Sequence, residues 1–301
     1  MDFDDILKMV VDRNASDLFM TEGMPPCLKV NGRVTPVSKT RLTDKQSREL
    51  VFSLMTPERR DEFENTKECN FAFQTKEGAR FRISAFVQRD AVGMVLRRIE
   101  TRIPTFDELG LPPILSKLAL AKRGIVFFVG ATGTGKSTSL AAMTGYRNHN
   151  TTGHIISIED PIEFLHDHHG CIVTQREVGV DTESYEVALR NTLRQAPDVI
   201  LIGEIRTREA MEHAITFAET GHLVLTTLHA NNANQALDRI IHFFPEESHG
   251  QVLLDLSLNL KGIIAQQLIR RPDGNGRRAI VEVLLNTPLA SDLIKKGEVS
   301  K

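Results

Sequence analysis

The chain has 301 residues, of which 41% are hydrophobic and 25% are charged, and this ordinary globular composition argues against a wholly disordered or fibrous protein. Its 37 basic and 39 acidic side chains leave a formal charge of −2, so the protein is not one that binds nucleic acid through bulk positive charge. The length predicts about two domains, and the scattered cysteines Cys27, Cys69 and Cys171 predict free thiols. Without a secretory signal or an apolar segment of about 18 residues, we expect a cytoplasmic protein.

The first hundred residues combine helical and strand patterns. Apolar residues at helical spacing predict a helix over residues 2–12, and the Asn-Gly dipeptide at 31–32 predicts a hairpin with a two-residue turn. A helix capped at Thr43 or Asp44 is expected next. The alternating segments FAFQTKEGARFRISAF and GMVLRRI then predict paired strands.

A proline-flanked stretch at residues 103–113 predicts a linker between a first domain, 1–102, and a second domain, 114–301. In the second domain, short and nearly continuous apolar segments alternate with helical patterns, as is typical of parallel strands that are covered on both faces. These segments are residues 124–130, 154–160, 199–203 and 222–229. Helices are predicted from Ser184 to Arg194 and after a cap at Thr207. The alternation predicts a doubly wound α/β domain, which ends in two strands around the glycine-rich turn of LIRRPDGNGRRAIVEVLL.

Residues 130–138 read GATGTGKST and match the G-x-x-x-x-G-K-[ST] pattern of a P-loop, or Walker A motif. Glycines let backbone N–H groups turn toward phosphate oxygens, the lysine reaches the β- and γ-phosphates, and the serine hydroxyl takes a position on Mg²⁺. An apolar strand leads into the motif, and the positive end of a predicted helix follows it. We therefore expect ATP and Mg²⁺ to be bound by Gly130, Thr132, Gly133, Thr134, Gly135, Lys136, Ser137 and Thr138.

Carboxylates follow two of the predicted strands. A P-loop hydrolase needs one of them near the metal, and Glu204 comes directly after the apolar run VILIG. A second group must orient or deprotonate the attacking water, and the segment IEDPIEF supplies Glu159, Asp160 and Glu163. The residues alone leave two roles open for Glu163, this base or a carboxylate that stabilises the start of a helix.

The predicted strand HLVLTTLH begins with His222 and ends with His229. A histidine at either position is more often structural than catalytic. The HDHH cluster at residues 166–169 permits a metal site or a solvated loop, and the lack of ligand spacing favours the loop. Neither group of histidines therefore defines a function by itself.

Arginines recur on the predicted strands of the first domain, at Arg80, Arg82, Arg89, Arg97 and Arg98. Such side chains usually solvate an exposed face. The alternative is that some of them reach a γ-phosphate, even in a neighbouring subunit, where an arginine stabilises the charge that develops on the transferred group.

The ordered set of motifs along the chain resembles the PilT/PilU twitching-motility ATPases of the type II/IV secretion ATPase superfamily. The resemblance covers essentially the whole chain, and the segment from ITFAETGH to HFFP is more similar to the PilU branch. The segments that carry it are ASDLFMTEGMPP, FRISAF, VLRR, PTFDELGLPP, GATGTGKST, IEDPIEF, APDVILIGEIR and ETGHLVLTTLH.

The resemblance implies roles for matching positions. Glu204 corresponds to the Walker B carboxylate, which with Ser137 holds the metal, and Glu163 corresponds to the general base. His222 and His229 match histidine positions that sense the nucleotide. The remaining matches, Arg82 and Arg97, are arginines that the first domain brings to the nucleotide.

The resemblance also implies an architecture and a function. It implies a smaller α+β PAS-like amino-terminal domain, a RecA-like P-loop NTPase domain and a homo-hexameric ring. It further implies an ATPase that powers type IV pilus retraction from the cytoplasmic side of the inner membrane, together with a PilT-like paralogue and an inner-membrane platform protein. Two alternatives stay open at this point, a nucleotide-binding accessory subunit that depends on a PilT-like motor and a RecA-type nucleic-acid translocase, although no nucleic-acid partner is expected.

Overall fold

The computed structural model describes residues 3–271 and 277–298. Contacts between residues divide the chain into two units, Met1–Thr101 and Arg102–Lys301. The glycine-rich turn predicted within LIRRPDGNGRRAIVEVLL falls on residues 272–276, outside the described residues. All three cysteines are free and buried. Within the described ranges, no helix is both long and apolar enough to cross a membrane.

The first unit is built, over its described residues, on a six-stranded antiparallel sheet with the order β3-β2-β1-β6-β5-β4. Its elements are α1 (Phe3–Asp12), β1 (Asp17–Met20), β2 (Cys27–Val30), β3 (Arg33–Pro36), α2 (Asp44–Ser53), α3 (Pro57–Thr66), β4 (Glu68–Gln74), β5 (Arg80–Gln88) and β6 (Ala91–Ile99). One sheet face packs with the helices around Leu7, Val51 and Phe63. Burial alternates along β5, so that Phe81 and Ile83 enter this core while Arg82 points to the other face.

Local sequence signals of the first unit act as predicted. Asn31 and Gly32 have φ values of 49° and 79° and turn the chain between β2 and β3. Thr43 caps α2 by accepting a hydrogen bond from the Gln46 N–H, and the Gln46 side chain accepts one from the Thr43 N–H in return. Both the hairpin and the helix start are thus confirmed.

The second unit is a doubly wound α/β fold, as predicted. Among its described residues, seven strands form a sheet in the order β13-β12-β7-β11-β10-β8-β9, and every neighbouring pair is parallel except β12 with β13. Its elements are α4 (Phe106–Leu109), α5 (Ile114–Ala119), β7 (Gly124–Val129), α6 (Lys136–Asn150), β8 (Gly153–Glu159), β9 (Cys171–Glu177), α7 (Tyr185–Thr192), β10 (Val199–Ile202), α8 (Arg208–Glu219), β11 (Leu223–Leu228), α9 (Ala233–Ile241), α10 (His249–Asn259), β12 (Leu260–Arg270), β13 (Arg277–Leu285) and α11 (Pro288–Lys295).

Helices cover both faces of this sheet. Residues of α7, α8, α9 and α10 pack on one face around Phe127, Met211 and Leu237. Residues of α4, α5 and α6 pack on the other face around Phe128, Leu115 and Met143. Because both faces are covered, β7, β10 and β11 are buried at every position. The carboxyl ends of the parallel strands meet at one edge of the sheet, which is where ligands bind in open α/β sheets.

Three features of the second unit differ from the sequence predictions. The stretch 103–113 is not free of regular structure, since Thr105 and Glu108 form a capping box that starts α4. The helix predicted from Ser184 to Arg194 ends two residues earlier, at Thr192. Leu193 is 40% exposed and does not lie on the buried face of this helix. Strand β9 was not predicted, because its sequence, CIVTQRE, has four polar residues after the first three and lacks the continuous apolar pattern of the inner strands.

Removal of a ring from the centre of the second unit should destabilise it strongly. Phe127 in β7 is fully buried, so we expect Phe127→Ala to lower the free energy of unfolding by about 3–5 kcal/mol. The matched control is Ile172→Ala on edge strand β9, where the side chain is 62% exposed and the expected change is below about 0.5 kcal/mol. Chemical denaturation of both variants measures the difference, and equal losses would contradict the assignment of the core.

Candidate nucleotide-binding and catalytic site

The predicted phosphate loop joins the end of β7 to the start of α6. Its glycines are required by close approach and by backbone conformation. A Cβ atom on Gly130 would lie 2.6 Å from the Gln266 carbonyl oxygen, and Gly135 has a φ of +85° with Gln266 Nε2 2.8 Å from the position of a Cβ. The loop therefore brings its backbone directly to the amino-terminal end of a 15-residue helix, where N–H groups and the helix dipole favour an anion.

Lys136 lies inside this loop and is only 8% exposed. Its Nζ donates hydrogen bonds to the Gly130 and Ala131 carbonyl oxygens, at 2.7 and 2.9 Å. Burial lowers the pKa of the ammonium group, while the Glu204 and Glu163 carboxylates oppose that change. The lysine is thus a cation that the loop holds next to two acidic side chains.

The phosphate loop and the predicted carboxylates line one cavity of about 270 Å³. Thr132, Gly133, Lys136 and Ser137 form the loop side of this cavity, and Glu163, Glu204 and His229 lie on the side formed by the neighbouring strands. The sheet explains the meeting, because these groups follow β7, β8, β10 and β11 at their carboxyl ends. Of the remaining predicted loop residues, Gly135 and Thr138 face a second cleft, described below.

Glu204 has partners on both carboxylate oxygens. His229 Nε2 lies 2.9 Å from Glu204 Oε1, and the Arg206 guanidinium contacts Oε2 through Nε at 2.9 Å and Nη2 at 2.7 Å. An ionised carboxylate only accepts hydrogen bonds, so this contact places a proton on His229 Nε2. Arg206 was not predicted as a site residue, although the signal was present in its position two residues after Glu204. The Glu204 carboxylate raises the pKa of Arg206.

Two acidic residues of the IEDPIEF segment have different environments. Glu163 is exposed and faces the cavity, as a base that acts on water must. Glu159 also lines the cavity, at the end of β8, but it is partly enclosed, and its Oε1 accepts hydrogen bonds from Ser157 Oγ at 2.7 Å and Gln175 Nε2 at 3.2 Å. Burial is the main cause that raises the pKa of Glu159 to about 7. Sequence reasoning gave Glu159 no separate role, because only the fold shows that one carboxylate is enclosed.

Histidines predicted from the sequence fall in different places. His229 belongs to the site, but His222 lies at the opposite end of β11, where its carbonyl oxygen accepts a hydrogen bond from the N–H of Gly124, the first residue of β7. A strand of this length separates the two histidines by about 20 Å. His222 Nδ1 lies 3.0 Å from the Phe217 carbonyl oxygen. The structure therefore does not bring His222 into the cavity that His229 lines, and its nucleotide-sensing role stays a prediction.

The HDHH segment is only partly a solvated loop. Asp167, His168 and His169 are exposed, but His166 lines the cavity and burial lowers its pKa to about 4. His166 is thus neutral at physiological pH. In the described part of the chain, no three histidine, cysteine or acidic residues are grouped so as to hold a metal ion.

A second cleft of about 940 Å³ adjoins the other side of the phosphate loop. Gly135, Thr138, Ser139 and Gln266 line it beside the loop, and Leu268 and Ile269 of β12 contribute apolar surface. Four arginines of β12 and β13 or next to them also line this cleft, namely Arg270, Arg271, Arg277 and Arg278. Their charge is therefore placed beside a phosphate-binding loop.

The predicted arginines of the first unit lie side by side. Arg82 in β5 is the cross-strand partner of Arg97 in β6, and Arg97 is in turn the partner of Asp17 in β1. Asp17 is buried, and its Oδ1 lies 2.9 Å from Arg97 Nε. Lys29 in β2 lies 3.9 Å from the same carboxylate. Like charges on adjacent strands repel each other, and the Asp17 carboxylate offsets this repulsion by its contact with Arg97.

Comparison with known proteins gives consistent matches over the whole chain. Residues 2–296 match the family model described as type II/IV secretion system protein. The chain is 69% identical to the type IV pilus ATPase PilU of Pseudomonas aeruginosa over 299 residues, which cover 99% of this chain and 78% of that protein. It is 40% identical to the type IV pilus retraction ATPase PilT of the same organism over 301 residues, or 100% of this chain and 87% of that protein.

The fold of this chain is similar to that of a solved structure. The crystal structure of the pilus retraction motor PilT with bound ADP matches with a TM-score of 0.94 at 39% identity, covering 100% of this chain and 88% of that chain. The similarity thus extends over both units of the present protein.

The enclosed carboxyl group of Glu159 should make stability depend on pH. Its pKa in the fold, about 7, exceeds the ordinary value of 4.5, so the folded chain binds the proton more tightly than the unfolded chain. This contribution is complete below pH 4.5 and is lost as the pH rises to about 7. We expect Glu159→Gln to gain stability relative to the unmodified protein over this interval, by on the order of 1–3 kcal/mol.

Denaturation of both proteins between pH 5 and pH 8 measures this effect. Glu183→Gln, an exposed acid in the same unit, is the control and should show no such trend. A stability difference for Glu159→Gln that stays constant across this range would show that Glu159 is ionised throughout.

Proposed function

This chain belongs to the type II/IV secretion system protein family and is a type IV pilus retraction ATPase of its PilT/PilU branch, and from that premise we propose which of its residues carry the reaction and with which partners it works. The observation that carries the proposal is the single cavity in which Lys136 and Ser137 of the phosphate loop face Glu163, Glu204 and His229. A cation and a hydroxyl at the start of a helix, facing two carboxylates, are the groups that phosphoryl transfer from ATP to water requires.

Phosphate binding is assigned to residues 130–138. Backbone N–H groups of the loop and of the first turn of α6 would donate to the β-phosphate oxygens. Lys136 Nζ, now on two loop carbonyls, would contact the β- and γ-phosphates as a compact cation. The low exposure of this lysine strengthens its attraction to the anion, because little water screens it.

A magnesium ion fits the residues beside the loop. The Ser137 hydroxyl and the Glu204 carboxylate both line the cavity, and Mg²⁺ prefers oxygen ligands, few of them from the protein and the others from phosphates and water. His229 and Arg206 each occupy one Glu204 oxygen, which fixes the carboxylate while leaving further lone pairs. When bound, the ion would neutralise charge that develops on the transferred phosphoryl group.

Water activation is assigned to Glu163. Its exposed carboxylate faces the same cavity as Lys136, so it can accept a proton from a water molecule that attacks the γ-phosphate. Glu159 lines the cavity too, but its Oε1 already accepts hydrogen bonds from Ser157 and Gln175, so we assign the base to Glu163. His229 donates its Nε2 hydrogen bond to Glu204, and it would therefore sense whether Glu204 holds a metal ion.

The nucleoside is assigned to the larger cleft beside Gly135 and Thr138. A ligand whose phosphates lie in the loop continues past the amino-terminal turn of α6 into this space. Leu268 and Ile269 offer apolar surface to a base, and the neighbouring arginines can stack on it or contact the α-phosphate. The phosphate cavity and this cleft together suit a nucleoside triphosphate better than either does alone.

Assembly into a homo-hexamer is proposed as the means by which Arg82 and Arg97 reach a nucleotide, each at its own or a neighbouring subunit's site. The cross-strand placement of the two arginines and the anchoring of Arg97 by Asp17 support this role. We further propose that the ring works with a PilT-like paralogue and an inner-membrane platform protein on the cytoplasmic side of the membrane. Hydrolysis would then supply the force for pilus retraction.

Loss of the loop cation should abolish activity without unfolding the protein. We expect Lys136→Ala to weaken ATP binding by about 10-fold or more and to lower kcat by at least about 100-fold, because a charged contact to the phosphates is lost. Lys122→Ala is the control, since this exposed lysine precedes the other end of β7. Phosphate release, nucleotide titration and thermal denaturation measure the three properties, and full turnover in Lys136→Ala would refute the assigned site.

Loss of an arginine from the first unit should affect turnover more than binding. We expect Arg97→Ala to lower kcat by about 100-fold while the ATP dissociation constant changes by less than about threefold, because the arginine stabilises charge formed in the transition state. The control is Arg33→Ala, an exposed arginine on β3 of the same sheet. Equal losses of binding and turnover would argue against this role, as would full activity of isolated monomers.

A further inference from the structure

Gln266 lies in β12, directly beside the phosphate loop. The sequence alone did not predict that this residue is buried or that it contacts the loop. Strand β12 runs parallel to β7, with Ala265 opposite Val129, so Gln266 is next to the point where β7 passes into the loop. Its side chain is 2% exposed, whereas the adjacent Gln267 is exposed. A buried amide of this kind is expected to satisfy its hydrogen bonds within the protein.

The Gln266 amide joins two parts of the nucleotide-binding segment. Its Nε2 donates a hydrogen bond to the Thr134 carbonyl oxygen at 2.8 Å, and its Oε1 accepts one from Ser139 Oγ at 2.7 Å. A Cβ on Gly130 would lie 2.6 Å from the main-chain carbonyl oxygen of Gln266, and a Cβ on Gly135 would lie 2.8 Å from its Nε2. One residue therefore contacts the beginning and the end of the loop and the first turn of α6.

The contact to Thr134 fixes the direction of a peptide group. In a trans peptide the carbonyl and the following N–H point in opposite directions. Because the Thr134 carbonyl points at Gln266, the N–H of Gly135 points away from β12, as a loop that binds phosphate through its N–H groups requires. The Ser139 contact holds the amide in the orientation in which its NH₂ group faces the loop.

We propose that Gln266 is a positioning residue of the ATPase, which sets the phosphate loop in its binding conformation by fixing the Thr134–Gly135 peptide and which is itself oriented by Ser139. This inference rests on the assignment of residues 130–138 as the phosphate site. It gives Gln266 a part in nucleotide affinity, although Gln266 acts through the loop and holds no phosphate itself. Strand β12 thereby becomes part of the nucleotide site as well as of the sheet.

The test compares Gln266→Met with Gln267→Met. Methionine has nearly the volume of glutamine but neither donates nor accepts a strong hydrogen bond, so the core stays filled. The dissociation constant of ADP, measured by calorimetry on the folded proteins, should rise about 10-fold for Gln266→Met and less than twofold for Gln267→Met. If Gln266 only fills the core, Gln266→Met should lower the melting temperature and leave the ADP dissociation constant unchanged. That result would overturn the proposal.

Ser139→Ala supplies a second, independent measurement. In the unmodified protein it should raise the ADP dissociation constant about threefold, and in the Gln266→Met background it should have no further effect, because its partner is already gone. Additive effects would overturn the proposal. If Gln266→Met does not fold, Ser139→Ala alone decides, since unchanged ADP affinity in that variant also overturns it.

Lys136→Ala in the same titration separates this inference from the function on which it rests. If Lys136→Ala binds ADP as tightly as the unmodified protein does, the assigned phosphate site is wrong and the Gln266 inference falls with it. If Lys136→Ala loses affinity while Gln266→Met keeps it, the phosphate site stands and only the role of Gln266 is refuted.

Discussion

The parallel register of β7, β11, β10 and β8 is the constraint on which the rest of the second unit depends. Each strand contributes its carboxyl end to the same edge of the sheet, so groups far apart in sequence meet there. Lys136 after β7 and Glu204 after β10 line one cavity for this reason. A shift of one strand by two residues would move its functional group about 7 Å and dissolve the site. The buried apolar faces of these strands fix that register by packing on helices on both sides.

The charges of the side chains that line the cavity depend on how deeply each of them is buried and on which charged groups lie nearby. Burial lowers the pKa of Lys136 while nearby Glu204 and Glu163 oppose that change, and burial raises the pKa of Glu159 to about 7. The segment IEDPIEF therefore contains one carboxyl group that can be neutral near physiological pH and one that is exposed to water. This difference suits a division in which Glu163 handles the proton and Glu159 supports the end of β8.

The sequence was sufficient for what short, local patterns determine. The apolar runs that became β7 and β10, the Thr43 cap and the P-loop each follow from a few neighbouring residues. What the sequence could not supply depends on distant partners. Glu159 and Gln266 acquire their hydrogen-bond partners on neighbouring strands and in the phosphate loop, and the distance between His222 and His229 follows from the length of β11. Arg206, by contrast, was missed although its partner Glu204 lies only two residues before it. Strand β9 was missed because edge strands need fewer apolar residues than inner ones.

Strand β12 carries Gln266 at the phosphate loop and Arg270 four residues later at the cleft assigned to the nucleoside. An extended strand is stiff, and four residues span about 13 Å. This segment of strand β12 therefore fixes the distance between Gln266 and Arg270. In the proposed site, the strand would hold the phosphate loop and the arginines of the nucleoside cleft at a set separation.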